Sequence, residues 1–349
     1  MRQNVILGSL DTKRTIYLKK AAEQEGLPIT FVEWKRWTEH HFLPDAEALL
    51  IKIDPPLWFS CSLEELNRLI DGYVQELKKL QQLAQTRKIT FFNEPSVIIE
   101  LLDKRACKSR LQQAGVRMTE ALQMPVCPNS EKYTVELLFE EMCRQQVHQV
   151  FIKPIKGSGA AGVSALRWQS RTGQMVLYTC ALLQADSTLV NTKRLRRFTS
   201  KEEIIPLLRH ILELDCIVER WYAKSEYQGY SYDLRAVMQE GQLDFLLARL
   251  SKGPITNLHL NNHPVEIAML GLPQNTLEEI EQICRESMAL YPSLRSAGID
   301  ILLEKGSMRP RIIEMNGQGD LIYQDIYQEN KIYRHQAQIM KKWLKELRG

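Results

Sequence analysis

At 349 residues, with 44% hydrophobic and 25% charged residues, the chain has the length of about two to three globular domains and the composition of a folded protein, not a disordered or fibrous one. Its 46 Lys and Arg against 42 Asp and Glu leave a formal net charge of +4, too small to demand an anionic partner. No stretch approaches the ~18 apolar residues of a membrane span, Val5-Ile6-Leu7 gives way too soon to polar residues for a signal-peptide core, and seven scattered cysteines without a CxxC pair suit reduced thiols in a cytoplasm.

In chain order, strand and helix signals first alternate. Residues 5–7 form a short apolar run, 13–25 a helical pattern closed by Gly26, 29–32 and 48–53 two further strands. Ser62-Leu63-Glu64-Glu65 is a capping box, and Leu63, Leu66, Ile70, Tyr73, Leu77, Leu80 and Ala84 recur at helical spacing behind it. With a strand at 89–92 this predicts a small doubly wound α/β domain. A helix follows over 95–113, then a strand at 150–156, a glycine-rich turn and a strand at 163–168. The basic run 193–197 reads as a solvated loop leading into a helix over 200–214, and 216–219 as a strand. Strands near 234–238 and 243–248, a helix near 277–290, a hairpin over 298–316 and a terminal amphipathic helix carrying Tyr333, Ala337, Met340, Leu344 and Leu347 on one face complete the chain.

Three constellations carry chemistry. Gly157-Ser158-Gly159-Ala160-Ala161-Gly162 fits the dinucleotide pattern G-x-G-x-x-G, but an alternating strand follows it where that motif needs a helix. A strand–glycine loop–strand hairpin can instead close backbone N–H groups over phosphates, with Lys153 and Lys156 on the entering strand; a plain glycine-bearing hairpin is the alternative. In the 298–316 hairpin, a turn centred on Ser307 sets Asp300 directly opposite Glu314, with Asn316 on the same face and Ile299, Ile301, Leu303, Ile313 and Met315 on the other. Two carboxylates with Cβ atoms ~4.5–5.5 Å apart repel, and a cation relieves that cost; this oxygen set suits Mg²⁺ shared with phosphates. A glycosidase acid pair leaves Asn316 without a role, and a solvated edge remains the plain reading. Between these lie Glu219-Arg220-Trp221-Tyr222, which could present hinge backbone to an adenine edge, then Asp233 and Arg235 on one strand face, Arg249, Asn257 and His259.

The order of these groups resembles the ATP-grasp superfamily of carboxylate–amine ligases, and within it the glutathione synthetases and ribosomal-protein glutamate ligases. Asp54-Pro55-Pro56 is similar to the Asp-Pro-Pro of glutathione synthetases, and Asn93-Glu94-Pro95 with Asp103-Lys104 to the segment whose lysine contacts ATP phosphate. The resemblance implies an ATP-grasp fold with an N-terminal doubly wound pre-ATP-grasp domain (1–92), a lid lobe bearing the glycine loop (93–217) and a C-terminal metal lobe (218–349). It implies ATP contacts from Lys104, Lys153, Lys156, Gly157, Ser158, Gly159, Gly162, Glu219, Arg220, Trp221, Tyr222 and Asp233, with Asp233 on the ribose. Two Mg²⁺ on Asp300, Glu314 and Asn316 are implied as well, and Arg235, Arg249 and Asn257 around the transferring group.

The implied reaction is amide formation through an acyl phosphate, between small-molecule or peptide carboxylate and amine substrates. A ribosomal-peptide or protein ligase, an ATP-grasp kinase and a non-catalytic ATP-binding module stay open. Neither nucleic acid nor membrane is an expected partner; a homo-oligomer is not excluded. Asn316-Gly317-Gln318-Gly319-Asp320 replaces the family's Asn-x-x-Pro, and the segment after Asn257 lacks its paired glycines. Both departures fall where the substrates should sit.

Overall fold

A computed structural model describes residues 2–57, 60–125, 132–157, 159–256 and 262–346, apart from the side chains of Lys193 and Glu346. The first sheet is parallel, in the order β2-β1-β3-β4, from β1 (Arg2–Gly8), β2 (Ile29–Glu33), β3 (Ala48–Ile53) and β4 (Ile89–Phe91). Side chains alternate across it, so both faces need cover. Val5 and Leu7 pack with Tyr73, Leu77 and Leu80 of α3 (Leu63–Leu83), whose Ser62 cap accepts from the Glu65 N–H at 3.3 Å. Ile6 points the other way, into Leu18 and Ala21 of α1 (Lys13–Gln24) and Tyr333, Ala337 and Met340 of α11 (Lys331–Glu346). This is the doubly wound domain, with a helix from the far end of the chain completing one face.

The second sheet is antiparallel, β8-β7-β6-β5-β9, built from β5 (Gln149–Pro154), β6 (Ser164–Trp168), β7 (Met175–Leu183), β8 (Leu189–Phe198) and β9 (Cys216–Arg220). Helices α6 (Val135–Arg144) and α7 (Lys201–Leu212) cover it. The basic run is therefore an edge strand, not a loop, and its ladder is broken: Ala181 pairs Asn191, whereas Thr179 pairs Arg196.

The third sheet runs β13-β12-β11-β14-β15, with β10 (Glu226–Tyr227) also on β11 (Tyr230–Gln239). Its other strands are β12 (Gln242–Ser251), β13 (His263–Glu266), β14 (Ser296–Leu303) and β15 (Pro310–Asn316). One face packs on α9 (Gln274–Ala289) and on α5 (Lys104–Gln113), which the sequence joins to α4 (Pro95–Leu102) as a single helix. Asp103 breaks it: extended at the boundary, its carboxylate accepts from the Arg105 and Ala106 N–H groups and caps α5.

Packing also moves the expected domain boundaries. Leu101, Cys107, Leu111 and Met118 belong to the core of the third sheet, not to the lid; β9 stays in the second sheet to Arg220; and α11 returns to the first. Residues 116–122 cross from third sheet to second, with Thr119 N–H donating to the Ile312 carbonyl and Leu122 N–H to that of Val218. That crossing segment floors the cleft between the two sheets.

Candidate active site

A cavity of about 580 Å³ opens between the second and third sheets and reaches the first domain. The apolar faces beneath it supply the stability that its charges cost. All eight residues of β14 are buried, and each fully buried Ile or Leu is worth roughly 1.5–3 kcal/mol.

Asp300 and Glu314 stand directly opposite one another, with Asn316 opposite Gly298, as the turn spacing predicts. The ladder then slips by one residue after Asp300, so Ile301 faces Ile312. This bulge sends Ile312 into the core and turns Ile313, expected there, into the cavity beside Glu314. Leu302, Ile313, Phe151 and Tyr222 make the apolar end of the cavity, a surface suited to a planar base. Asp233 faces Arg249, and Arg235 faces Asp300, across adjacent ladders.

Lys104 and Lys153 enter from α5 and β5. Lys104 Nζ donates to the carbonyls of Ile155 at 3.4 Å and Gly157 at 3.2 Å, which ties the lysine to the glycine turn. Burial draws its pKa down, with nearby Glu314 pulling it back up. Lys153 Nζ lies 2.9 Å from Glu219. For Glu314, burial acts to raise the carboxyl, but Lys104, Lys153, Arg235 and Arg249 together outweigh it and hold it at about 2. An ionised carboxylate kept among four cations is poised to share them with a phosphate chain.

Solved structures share this arrangement of sheets over the entire chain. D-cycloserine synthetase DcsG matches at TM-score 0.61 with 12% identity, over 97% of this chain and 99% of that one. The macrocyclase MdnC, bound with precursor peptide MdnA from Microcystis aeruginosa MRC, matches at 0.60 with 13% identity, over 98% and 100%. A Chryseobacterium gregarium RiPP-associated ATP-grasp ligase in complex with ADP and a leader and core peptide matches at 0.58 with 12% identity, over 97% of each. The chain has the ATP-grasp fold. No protein-family model matches it, and neither does any curated protein.

Within the ATP-grasp fold, the cavity gathers most of the groups picked out in sequence: Lys104, Lys153, Gly157 and Gly159 from the lid side, Glu219, Arg220 and Tyr222 from the hinge, and Asp233, Arg235, Arg249, Asp300, Glu314 and Asn316 from the third sheet. Three others stay outside it. Lys156 pairs with Asp71 of α3. A Cβ on Gly162 would lie 2.8 Å from Pro154 Cγ, so this glycine, at φ +69°, serves packing. The Trp221 ring sits against Phe151, with centroids 5.4 Å apart, and beneath Arg167. Ser158, Asn257 and His259 lie outside the described residues.

Two of the buried carboxylates are tied to neighbouring cations. Glu219, 1% exposed, accepts from Thr119 Oγ1 at 2.7 Å and pairs with Lys153 and, at 3.4 Å, Lys108. Burial would raise its carboxyl, but Lys108 and Lys153 hold it below the usual range. It is thus a shared counter-ion of Lys153 and Lys108. Asp233 accepts from Arg249 Nε at 2.7 Å and Nη2 at 2.9 Å, and from Thr256 Oγ1, which makes it a brace for Arg249.

Sequence reading missed Lys108 and Lys224. Lys108 shares a helix face with Lys104 one turn earlier, a signal its apolar neighbours Cys107 and Leu111 obscured. Lys224 donates to the Pro254 carbonyl at 3.1 Å and to Thr256 Oγ1 at 2.5 Å, and burial draws its pKa down to about 8. Nothing in its local sequence announces that loop contact.

The residues fit a divalent cation. Asp300 Oδ1 and Asn316 Nδ2 are buried without a hydrogen bond, and Glu314 has no ion-pair partner among the described residues. All three donors are hard oxygens, two carboxylates and the amide Oδ1 of Asn316; among the described residues no cluster of three or more His, Cys, Asp or Glu is gathered for a metal.

Proposed function

We propose that this chain is an ATP-dependent ligase that joins a carboxylate to an amine through an acyl phosphate. The observation that carries the reading is one cavity in which Lys104, Lys153, Arg235 and Arg249 line the walls with the opposed pair Asp300 and Glu314, together with the apolar residues Phe151, Tyr222, Leu302 and Ile313. Such an arrangement has neither a nucleophile nor an acid–base dyad at its centre. It suits phosphoryl transfer, where positioning and charge neutralisation dominate.

In this reading Lys104 and Lys153 hold the phosphates, and the 157–162 turn closes over them. Arg249, braced by Asp233, faces the transferring group. Asp300, Glu314 and Asn316 hold Mg²⁺, two ions in the fullest form, which supplies neutralisation of the phosphate charge when bound. Six described cysteines are all unpaired, which supports a reducing, cytoplasmic setting.

The far end of the cavity supports a peptide as one substrate. Leu57 and Tyr323, 51% and 43% exposed, flank its mouth, a larger apolar rim than a small amino acid needs. The like-folded MdnC and C. gregarium ligases are bound to peptides. A screen for ADP release across amino acids, hydroxy acids and short peptides, with Mg²⁺ and ATP, tests the reading. Acceptor-dependent ADP with an amide product bears it out, whereas ADP and a stable phosphorylated product identify a kinase instead.

A further inference from the structure

On the cavity face of the third sheet, charged residues stand on four adjacent strands: Arg249 on β12, Asp233 and Arg235 on β11, Asp300 on β14, Glu314 on β15. Asp300 is 6% exposed and already has a cation on each oxygen. Arg235 Nε lies 2.9 Å from Oδ1, and Arg249 Nη2 lies 3.1 Å from Oδ2. The first contact is ionic and off hydrogen-bond geometry, since Asp300 Oδ1 makes no hydrogen bond. The inner carboxylate of the candidate metal pair is therefore occupied by arginine, while the outer one, though cations lie around it, has no ion pair with a described residue.

The place that Arg235 takes is shaped for it. A Cβ on Gly298 would collide with Arg235 Nη1 and the Gly319 carbonyl, and a Cβ on Gly319 would lie 2.8 Å from the same nitrogen. The guanidinium thus lies in a slot between two glycines, one on β14 and one just past β15. Neither needs a left-handed backbone, so close approach is what requires them. This slot gives a physical reason for Gly319, which stands within the segment that departs from the family pattern. Arg235 Nη1 is buried there without a hydrogen-bond partner, a donor held in reserve.

We propose that Arg235 is the resident counter-ion of Asp300, and that a divalent cation entering between Asp300 and Glu314 displaces it toward the anion arriving with the cation. The inference rests on the metal assignment of the proposed ligase. Two arginines against three carboxylates leave this sheet face one negative charge, half of what a divalent ion brings. A free cation must therefore compete with a seated guanidinium. A cation arriving with phosphates does not, because the released Arg235 finds a new anion. Arg235 here acts through Asp300, as a positioning residue for the cation.

The test uses Mn²⁺ alone as probe, titrated into nucleotide-free full-length protein and read by the loss of the free-ion paramagnetic resonance signal. Arg235→Gln is expected to tighten Mn²⁺ binding about tenfold, the weight of one nearby unit charge in a partly solvated site. Arg235→Lys, which keeps the charge, is expected to stay close to the parent protein, and thermal melting checks that both variants fold. Unchanged or weaker binding by Arg235→Gln, or equal tightening by Arg235→Lys, overturns the proposal. Glu314→Gln separates the two levels of the argument. If Mn²⁺ binding in the presence of ATP depends on Glu314 but nucleotide-free binding ignores Arg235, the exchange alone fails. If Glu314 has no effect with or without ATP, the metal assignment fails and the exchange with it.

Discussion

Replacing Glu219 with glutamine removes the single carboxylate shared by two buried lysines. The wild-type carboxylate lies 2.9 Å from Lys153 Nζ and 3.4 Å from Lys108 Nζ, at 1% exposure. Lys108 keeps its bonds to the Thr119 carbonyl and hydroxyl, both at 2.7 Å, whereas Lys153 keeps no hydrogen bond to a described residue. Breaking a buried pair from one side costs about 3–5 kcal/mol, because the remaining charge stays desolvated. Glu219→Gln should therefore lower urea-unfolding stability by about that amount at neutral pH. Lys108→Met added to it should recover part of the loss, with a coupling energy of about 2 kcal/mol. The pH dependence has a definite sign. Glu219 is held below its unfolded value, so its stabilisation is complete above about pH 4.3 and fades as pH falls through the lower folded value. The gap between wild type and variant should close over the same window. A loss under about 1 kcal/mol, or strictly additive single and double variants, refutes the counter-ion reading.

Other outcomes follow from the same geometry. Glu314→Ala should reduce Mg·ATP turnover by at least about 10²-fold, measured by ADP release at a temperature where circular dichroism shows the variant folded. Lys153→Ala should weaken nucleotide binding roughly tenfold or more in calorimetry, whereas Lys156→Ala, paired with Asp71 away from the cavity, should leave it unaltered. Lys224 has a folded pKa of about 8, below the unfolded value near 10.4. Between those values the unfolded chain holds the extra proton, so its contribution to stability rises with pH. Lys224→Met should show a flatter profile than wild type across that window in chemical unfolding.

Much of the site was legible because β-strand side chains alternate and pair by register. Asp300 and Glu314 meet where the turn spacing puts them, and Asp233 and Arg235 share a face. The bulge after Asp300 was hidden, since one extra residue leaves the strand pattern intact while exchanging Ile312 and Ile313 between core and cavity. The doubly wound domain was readable from helix and strand periods. What escaped were partnerships distant in sequence: Glu219 with Lys108, Lys224 with Thr256, and α5 with the third sheet in place of the lid. The basic run was misread as a loop because Lys193-Arg194-Leu195-Arg196-Arg197 has little apolar alternation. An edge strand needs little, since one side of its ladder is open.

The return of α11 to the first domain bears on how this chain is made. During synthesis β1 to β4 emerge before α11, so the face of their sheet that carries Ile6 has only α1 to cover it until Tyr333, Ala337 and Met340 leave the ribosome. The first sheet is thus only partly covered on that face while the second and third sheets are made, with Ile6 and Leu50 short of part of their packing. The docking of α11 on the first sheet therefore comes after the second and third sheets have left the ribosome. A tag or fusion appended after α11 acts directly on that docking step, and so does an insertion at the tight turn between β11 and β12, because Gln239 and Asp244 beside that turn bond to Ile332, Lys331 and His335 of α11.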